Sequence, residues 1–414
     1  MAYCANAEDV QRVVNWGRQN SVRIVPRSGR HSYAGYSSGN GVVVADVSRL
    51  ASVNVSGRKA QVGAGTHLID VYAKLWQHGV TVPGGSCPTI GIAGLALGGG
   101  HGFSSRKFGT TSDSIRGVHI VTADGELLAC DASHHADLLW ACRGGGGGNF
   151  GIVTELDFAT HPVKNVSRFV IEWPWAEAAK ALAAWQHFAP HAPDALFCGF
   201  GLVASATDGQ AYVGSSGQYF GSASDLRSLI EPLTSTGTPL TVFTEDVSYM
   251  DAVLHEAGCR DADTCGRGSA QRTFKAESDY VNTPLSPTAI GHLVGAIAAR
   301  QGHGKGAIYM DAYGGAINRV APGATAFVHR NALFSIQYTA QWTGSGAHSA
   351  RWLDGLYARM RPFVSGFSYV NYIDPDLANW QYAYYGKNLP RLKAVKRKYD
   401  PEDAFRFKQS IPLR

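Results

Sequence analysis

The sequence predicts an α+β fold in two parts: a glycine-rich first part, then an antiparallel sheet with helices on one face. Three observations predict it. The chain of 414 residues is long enough for two to three domains of about 150 residues. Up to residue 162, short strand and helix patterns alternate with glycine-rich loops. From residue 163 the texture changes to longer alternating strands separated by helices, the grammar of an antiparallel sheet covered on one side.

The elements follow in order. In EDVQRVVNWGRQN, Val10, Val13, Val14 and Trp16 fall near helical spacing, which predicts a short amphipathic helix. VRIVP is a buried strand stopped by Pro26. Residues 27–41, RSGRHSYAGYSSGNG, are turn-forming throughout. VVVADV and AQVGAG are the second and third strands. HLIDVYAKLWQHG is a helix with Leu68, Val71, Tyr72, Leu75 and Trp76 on one face. VTVP is a short strand running into the loop GGSCPTIG, and GIAGLALGGGHG follows with six glycines in twelve residues. IRGVHIVTADGELLAC reads as a hairpin turning at Asp124-Gly125. HHADLLWAC is helical, and GGGGGNFGIVTELDFAT passes from a five-glycine loop into a strand. In the second part FCGFGLVA, AYVGSSGQYF, AIYMDAYGG and ALFSIQYTAQW are strands, with helices at roughly 175–190, 222–232, 286–300 and 345–360. NLPRLKAVKRKYDPEDAFRFKQSIPL is a basic helix ended by Asp400-Pro401, then an extended tail.

Composition narrows the function classes. Lys plus Arg number 37 against 32 Asp plus Glu, a net charge of +5. That is too dilute for a dense basic patch, so no nucleic-acid partner is expected. Hydrophobic residues at 45% and charged residues at 17% exclude wholesale disorder. No run of 18 apolar residues exists, so no membrane partner is expected. The start, MAYCANAEDV, has neither a basic nor an apolar leader region, which predicts no signal peptide and leaves the compartment open. Seven cysteines, at 4, 87, 130, 142, 198, 259 and 265, include no CxxC pair, so no metal site is expected. Cys259 and Cys265 bracket the short loop CRDADTC and could bridge, but free thiols are the favoured expectation. Glycine is the outlier, with 49 residues.

Several motifs are weighed and set aside. GYSSG at 35–39 matches the nucleophile-elbow pattern, but a strand, VVVADV, follows where that motif needs a helix. GGGHGF contains GxG without the third glycine, which argues against a Rossmann fold. The glycine load still predicts backbone N–H groups lining a phosphate or a flat ring. His31 and Cys87 each sit in a glycine-rich loop after a strand, and both are nucleophiles able to attack an electrophilic ring.

Three segments then carry a resemblance. RSGRHSYAGYS at 27–37, PGGSCPTIGIAGLALGGGHG at 83–102, and YVNYIDPDL with YYGKNLPRLKAVKRKYDPEDAFRFKQSI at 369–411 stand in order with GGGGGNFGIVT at 144–154. The chain resembles the berberine-bridge-enzyme-like branch of the vanillyl-alcohol-oxidase flavoproteins, which have a PCMH-type FAD-binding domain. The resemblance implies a two-part FAD-binding domain at 1–162, a substrate-binding domain at 163–383, and a C-terminal segment, 384–414, returning to the FAD domain. It implies FAD tethered twice, to His31 and Cys87. Backbone over Arg27, Ser28, Gly29, Arg30 and Ser32 would cradle the pyrophosphate. Gly84, Gly85, Thr89, Gly91, Gly94 and Gly98 would line the cofactor, Ile152 its adenine end, and Tyr385 and Asn388 its isoalloxazine side. Tyr372 matches the family's base. Asp311 matches a position where carbohydrate-oxidising members carry aspartate. The two would form a hydrogen-bonded or proton-sharing pair, since a free phenol has a pKa near ~10. Gln337 and Tyr369 are the substrate-facing candidates.

Two departures from the family pattern are visible. Arg30 stands where the family reads glycine, so a positive φ there would be strained. The chain also starts beyond a first segment that members normally pack on the FAD domain, which predicts a weakened domain edge. Ile90, three residues after Cys87, borders the implied approach of oxygen and is compatible with oxidase and dehydrogenase behaviour alike. The resulting expectation is an FAD-linked oxidase of an alcohol or hemiacetal carbon, with a carbohydrate or sugar-bearing substrate and O2 as acceptor, giving H2O2. The alternatives are a tailoring oxidase of polyketide, glycopeptide or alkaloid natural products, and a flavin-binding protein without turnover.

Overall fold

The computed structural model describes residues 1–266 and 272–414. Two large hydrophobic cores and a smaller cluster around Tyr280, Tyr313 and Tyr369 organise it. In the first part the helix Ala7–Gln19 is capped by Asn6, whose side chain accepts from the Asp9 amide at 2.8 Å, and it buries Val10 and Val14. Strands Ala2–Tyr3, Val42–Asp46 and Arg23–Arg27 form a small parallel sheet. A second, antiparallel sheet runs Val53–Ser56, Lys59–Gly63, Ile152–Ala159, Ile115–Val121, Leu127–Cys130. Its last hairpin turns at Asp124-Gly125, with Gly125 at φ +86° as the turn requires. Several short elements were not predicted, Val53–Ser56 and Ile92–Leu97 among them. Val53–Ser56 is a four-residue edge strand with alternate residues exposed. Ile92–Leu97 is a helix hidden inside a run whose glycines mask it.

The second part is a seven-stranded, wholly antiparallel sheet, as the texture predicts. Its order is Thr241–Ser248, Asn165–Trp173, Ala211–Tyr219, Leu196–Ala204, Gly306–Ala312, Phe334–Trp342, Thr273–Val281. Three of these strands were not expected; Thr241–Ser248 lies at an edge, half-exposed and without clean alternation. Helices Ala178–Phe188, Pro287–Ala298 and Ala347–Met360 cover one face around fully buried Trp185. Alternation decides the faces. Ile308, Met310 and Ala312, with Phe334, Ile336 and Tyr338, enter the helical core. Tyr309, Asp311 and Gln337 stand on the other face.

Chain segments cross between the parts. The helix Tyr249–Glu256 and the loop closed by a Cys259–Cys265 disulfide pack into the first core. So do Val370, Ile373, Leu377 and Ala383, because their apolar side chains find the first core rather than the sheet. The terminal helix Leu389–Tyr399 stops just before Asp400-Pro401, as the sequence predicts. Its Lys396 is fully buried. The ammonium pairs with Asp400 at 2.5 Å and donates to the Asn149 and Phe405 carbonyls at 2.9 and 2.7 Å. Among the described residues, no helix is long and apolar enough to cross a membrane.

Candidate active site

A cavity of about 1200 Å³ lies between the open sheet face and the first part. That exceeds the ~300–1,000 Å³ of an ordinary small-molecule pocket. Its walls come from the loops 27–33, 85–91 and 146–149, the sheet, and the returning segment 369–373. Gly199, Gly201 and Gly214 keep the sheet wall flat, and Tyr212, Leu240 and Tyr309 expose apolar surface at its rim.

The two sequence-predicted tether residues occupy loops locked to each other. A Cβ on Gly29 would lie 2.0 Å from the Gly91 nitrogen, and one on Gly91 would lie 1.9 Å from the Ser28 hydroxyl. Only glycine permits that approach. Ser28 Oγ donates to the Ala64 carbonyl at 2.7 Å, and Arg27 pairs with Asp46 at 2.8 Å. His31 Nε2 lies 2.9 Å from Thr89 Oγ1, which ties the histidine loop to the cysteine loop. Burial pushes the His31 pKa down, with His67 adding to it. Cys87 opens onto the cavity, while Cys4, Cys130, Cys142 and Cys198 are buried thiols. The surrounding walls push the Cys87 thiol up, opposed by a hydrogen bond with Ser86. Arg30 does adopt the left-handed conformation, φ +65°, with its guanidinium 3.8 Å from Asp46.

These loops fit FAD. Gly94 and Gly147 face the cavity, and a Cβ on Gly94 would meet nothing within 4 Å. They leave a side-chain-free floor against which a flat ring or a pyrophosphate can lie. Arg27, Ser28, Gly29, Arg30, Ser32, Gly85, Gly91, Ile152 and Tyr385 also line the cavity. Four expected cofactor contacts do not. A Cβ on Gly84 would lie 2.7 Å from the Tyr72 hydroxyl, and one on Gly98 would lie 2.0 Å from the Asn371 amide oxygen, so both glycines face protein. Thr89 is turned to His31. Asn388 donates to the carbonyls of Pro322, Thr325 and Ala326, and so pins the 322–326 loop.

The opposite wall is aromatic. Tyr372 ends the 3-10 turn Val370–Tyr372 and stacks on Tyr33 with ring centroids 5.6 Å apart. Tyr369 meets it edge-on at 5.0 Å and accepts from the Gly100 amide at 2.7 Å. That bond occupies a hydroxyl expected to face substrate. Gln337 donates to Tyr33 at 2.8 Å. Burial raises the Tyr372 pKa well above 10, and the nearby Tyr33, Asp311, Tyr369 and Cys87 add to the shift. Among the described residues, no hydrogen bond joins Tyr372 to Asp311, so the expected pair is not formed. The Asp311 carboxylate instead lies 3.6 Å from His101 Nδ1. Burial raises the Asp311 pKa and His101 opposes the rise. Sequence reasoning missed His101 and Tyr33. Both stood in quoted motifs, and a lone histidine at the end of a glycine run was the available signal.

A cavity of this size, walled by a glycine cradle on one side and titratable side chains on the other, suits an FAD-linked oxidoreductase, and similarity to known proteins shows that class. The FAD binding domain family model matches residues 1–131, and the berberine and berberine-like model matches residues 368–412. The chain is 35% identical to the uncharacterized FAD-linked oxidoreductase YgaK of Bacillus subtilis, over 100% of this chain and 90% of that one. Physcomitrella patens BBE-like 1 superposes with a TM-score of 0.93 at 35% identity, covering 100% of this chain and 91% of that one. The chitooligosaccharide oxidase of Gibberella zeae is 29% identical, over 97% and 85%. The chain belongs to the berberine-bridge-enzyme-like FAD-linked oxidases of the PCMH family.

Proposed function

We propose that the protein holds FAD through two covalent bonds, to His31 and Cys87, and oxidises a CH–OH carbon of a carbohydrate. One observation carries the reading: a single cavity joins the His31 and Cys87 loops to Tyr372 and Asp311. When bound, FAD supplies hydride acceptance at flavin N5, with O2 as the final acceptor giving H2O2. The protein's part is orientation and proton handling. The locked Gly29–Gly91 contact sets the two tether loops at a fixed separation. Tyr372 takes the substrate's hydroxyl proton, and the stacked Tyr33, held by Gln337, fixes its ring. The flat sheet wall receives the rest of the substrate. Similarity to a chitooligosaccharide oxidase supports a sugar. The exposed Tyr212, Leu240 and Tyr309 at the rim support a second reading, in which the substrate is the aromatic or sugar part of a natural product.

An anaerobic flavin-reduction screen across oligosaccharides and aromatic polyketides, followed by admission of air, tests substrate class and acceptor. Mass analysis of His31→Ala and Cys87→Ala tests the tethers. Each single variant keeps covalent FAD through the other residue, and the double variant releases it on denaturation. Release from the wild-type chain overturns the tethering.

A further inference from the structure

His101 is the titratable group that the proposed chemistry leaves without a task. It ends the run GGGH after the helix Ile92–Leu97 and lines the cavity, yet it is only 8% exposed. Its ring is enclosed by Tyr369 at 5.1 Å, Tyr313 at 5.5 Å and Tyr372 at 6.1 Å between centroids. Nδ1 faces Asp311 at 3.6 Å, and Nε2 is buried without a hydrogen-bond partner. The Gly100 amide, one residue earlier, is held by Tyr369, so the imidazole is set from the same tyrosine that packs on Tyr372.

We propose that His101 is a positioning residue for the base: its Nδ1–H holds Asp311 as an ionised carboxylate beside Tyr372. This rests on the assignment of Tyr372 as the base. A protonated phenol accepts a substrate proton only by passing its own onward, and Asp311, in electrostatic reach of Tyr372 but not hydrogen-bonded to it, receives that proton across a bridging water. The cluster of His101, Asp311 and Tyr372 carries one negative charge at rest. Taking up the substrate's hydroxyl proton leaves it neutral, while the two electrons and the carbon-bound hydrogen leave as hydride to FAD. Burial favours that neutral product state. It also keeps the imidazole itself uncharged: desolvation pushes His101 down, with Asp311 opposing. The other titratable groups facing the cluster are the phenols Tyr33, Tyr280, Tyr313 and Tyr369, and the Cys87 thiol. Arg330 acts on Tyr313 from behind.

The nitrogen chemical shifts of the ring, in histidine-labelled holoenzyme, report which nitrogen carries the proton. The His101 signals are assigned by their loss in His101→Gln. The expected result is Nδ1–H in the wild-type chain and loss of that preference in Asp311→Ala. A wild-type ring protonated on Nε2 alone overturns the proposal. The second arm is the pH profile of anaerobic flavin reduction, with chitotetraose or, if that does not bleach the flavin, the substrate found in the screen above. In His101→Phe the carboxylate loses the ring nitrogen that faces it at 3.6 Å and its pKa rises, so the acid limb moves upward by about one pH unit. In His101→Gln the side-chain amide still donates, and the limb stays near the wild-type position. Equal profiles for wild type and His101→Phe overturn the proposal, as does an equal shift for Gln and Phe. Tyr372→Phe separates the two ideas. If it reduces flavin normally, the base assignment falls. If it is inactive while His101 carries Nε2–H, only the present inference falls.

Discussion

The two walls of the cavity are built by different means. The tether wall is mostly backbone: Gly29 against Gly91, a bare floor at Gly94 and Gly147, and two reactive side chains at loop positions. The facing wall is mostly side chain: Tyr33, Tyr369, Tyr372, His101 and Asp311 in mutual ring and charge contact. A backbone wall binds whatever shape its hydrogen-bond donors outline, and it tolerates little substitution. A side-chain wall sets proton affinities, and its members can be exchanged singly with graded effects. Binding and proton handling are thereby separable.

Substitutions on each wall can break or sharpen that separation. The largest effect is expected at Tyr372→Phe, with flavin reduction slowed roughly 10²–10⁴-fold. Covalent FAD content, read by mass, should stay unchanged; its loss would merge the two walls. Next is Lys396→Met, which strands Asp400 and frees the Asn149 carbonyl of the cradle loop. Urea unfolding should show about 3–5 kcal/mol of lost stability, the cost of breaking a buried ion pair. Arg30→Gly comes third. Relieving a left-handed non-glycine residue should stabilise by about 1 kcal/mol, measured the same way. The smallest is Gly94→Ala. Its new methyl meets nothing, and it removes a helix glycine, so flavin-free protein should gain ~0.5–1 kcal/mol. FAD loading should fall in the same variant, since the methyl projects into the cradle. An unchanged loading would show that FAD does not lie on that floor.

Legibility in the sequence follows the same division. His31, Cys87 and Gly94 were readable because a backbone wall demands particular residues at particular loop positions. The motif could not separate glycines facing the cavity from those facing protein. Gly84 and Gly98 answer to Tyr72 and Asn371, one 12 and the other 273 positions away in sequence. Asn388 belongs to a loop near residue 325 for the same reason. On the other wall Tyr372 and Asp311 were readable one at a time, but their arrangement was not. His101 intervenes only because the strand Gly306–Ala312 is brought over the end of the Ile92–Leu97 helix. The antiparallel sheet was legible from alternation in four strands. The strands Asn165–Trp173, Thr241–Ser248 and Thr273–Val281 escaped notice, and the first and last became evident only once their partners were known.

The attachment of the chain's end carries a consequence for biogenesis. Ile411 donates its amide to the Asn149 side chain at 2.9 Å, and Lys396 grips the carbonyl of the same residue. The first 160 residues can therefore collapse early, but the seat they build is unfinished until the segment 389–411 has docked on it. Chains cut before Leu389 should accumulate colourless, and pigment should become a reporter of that segment's docking.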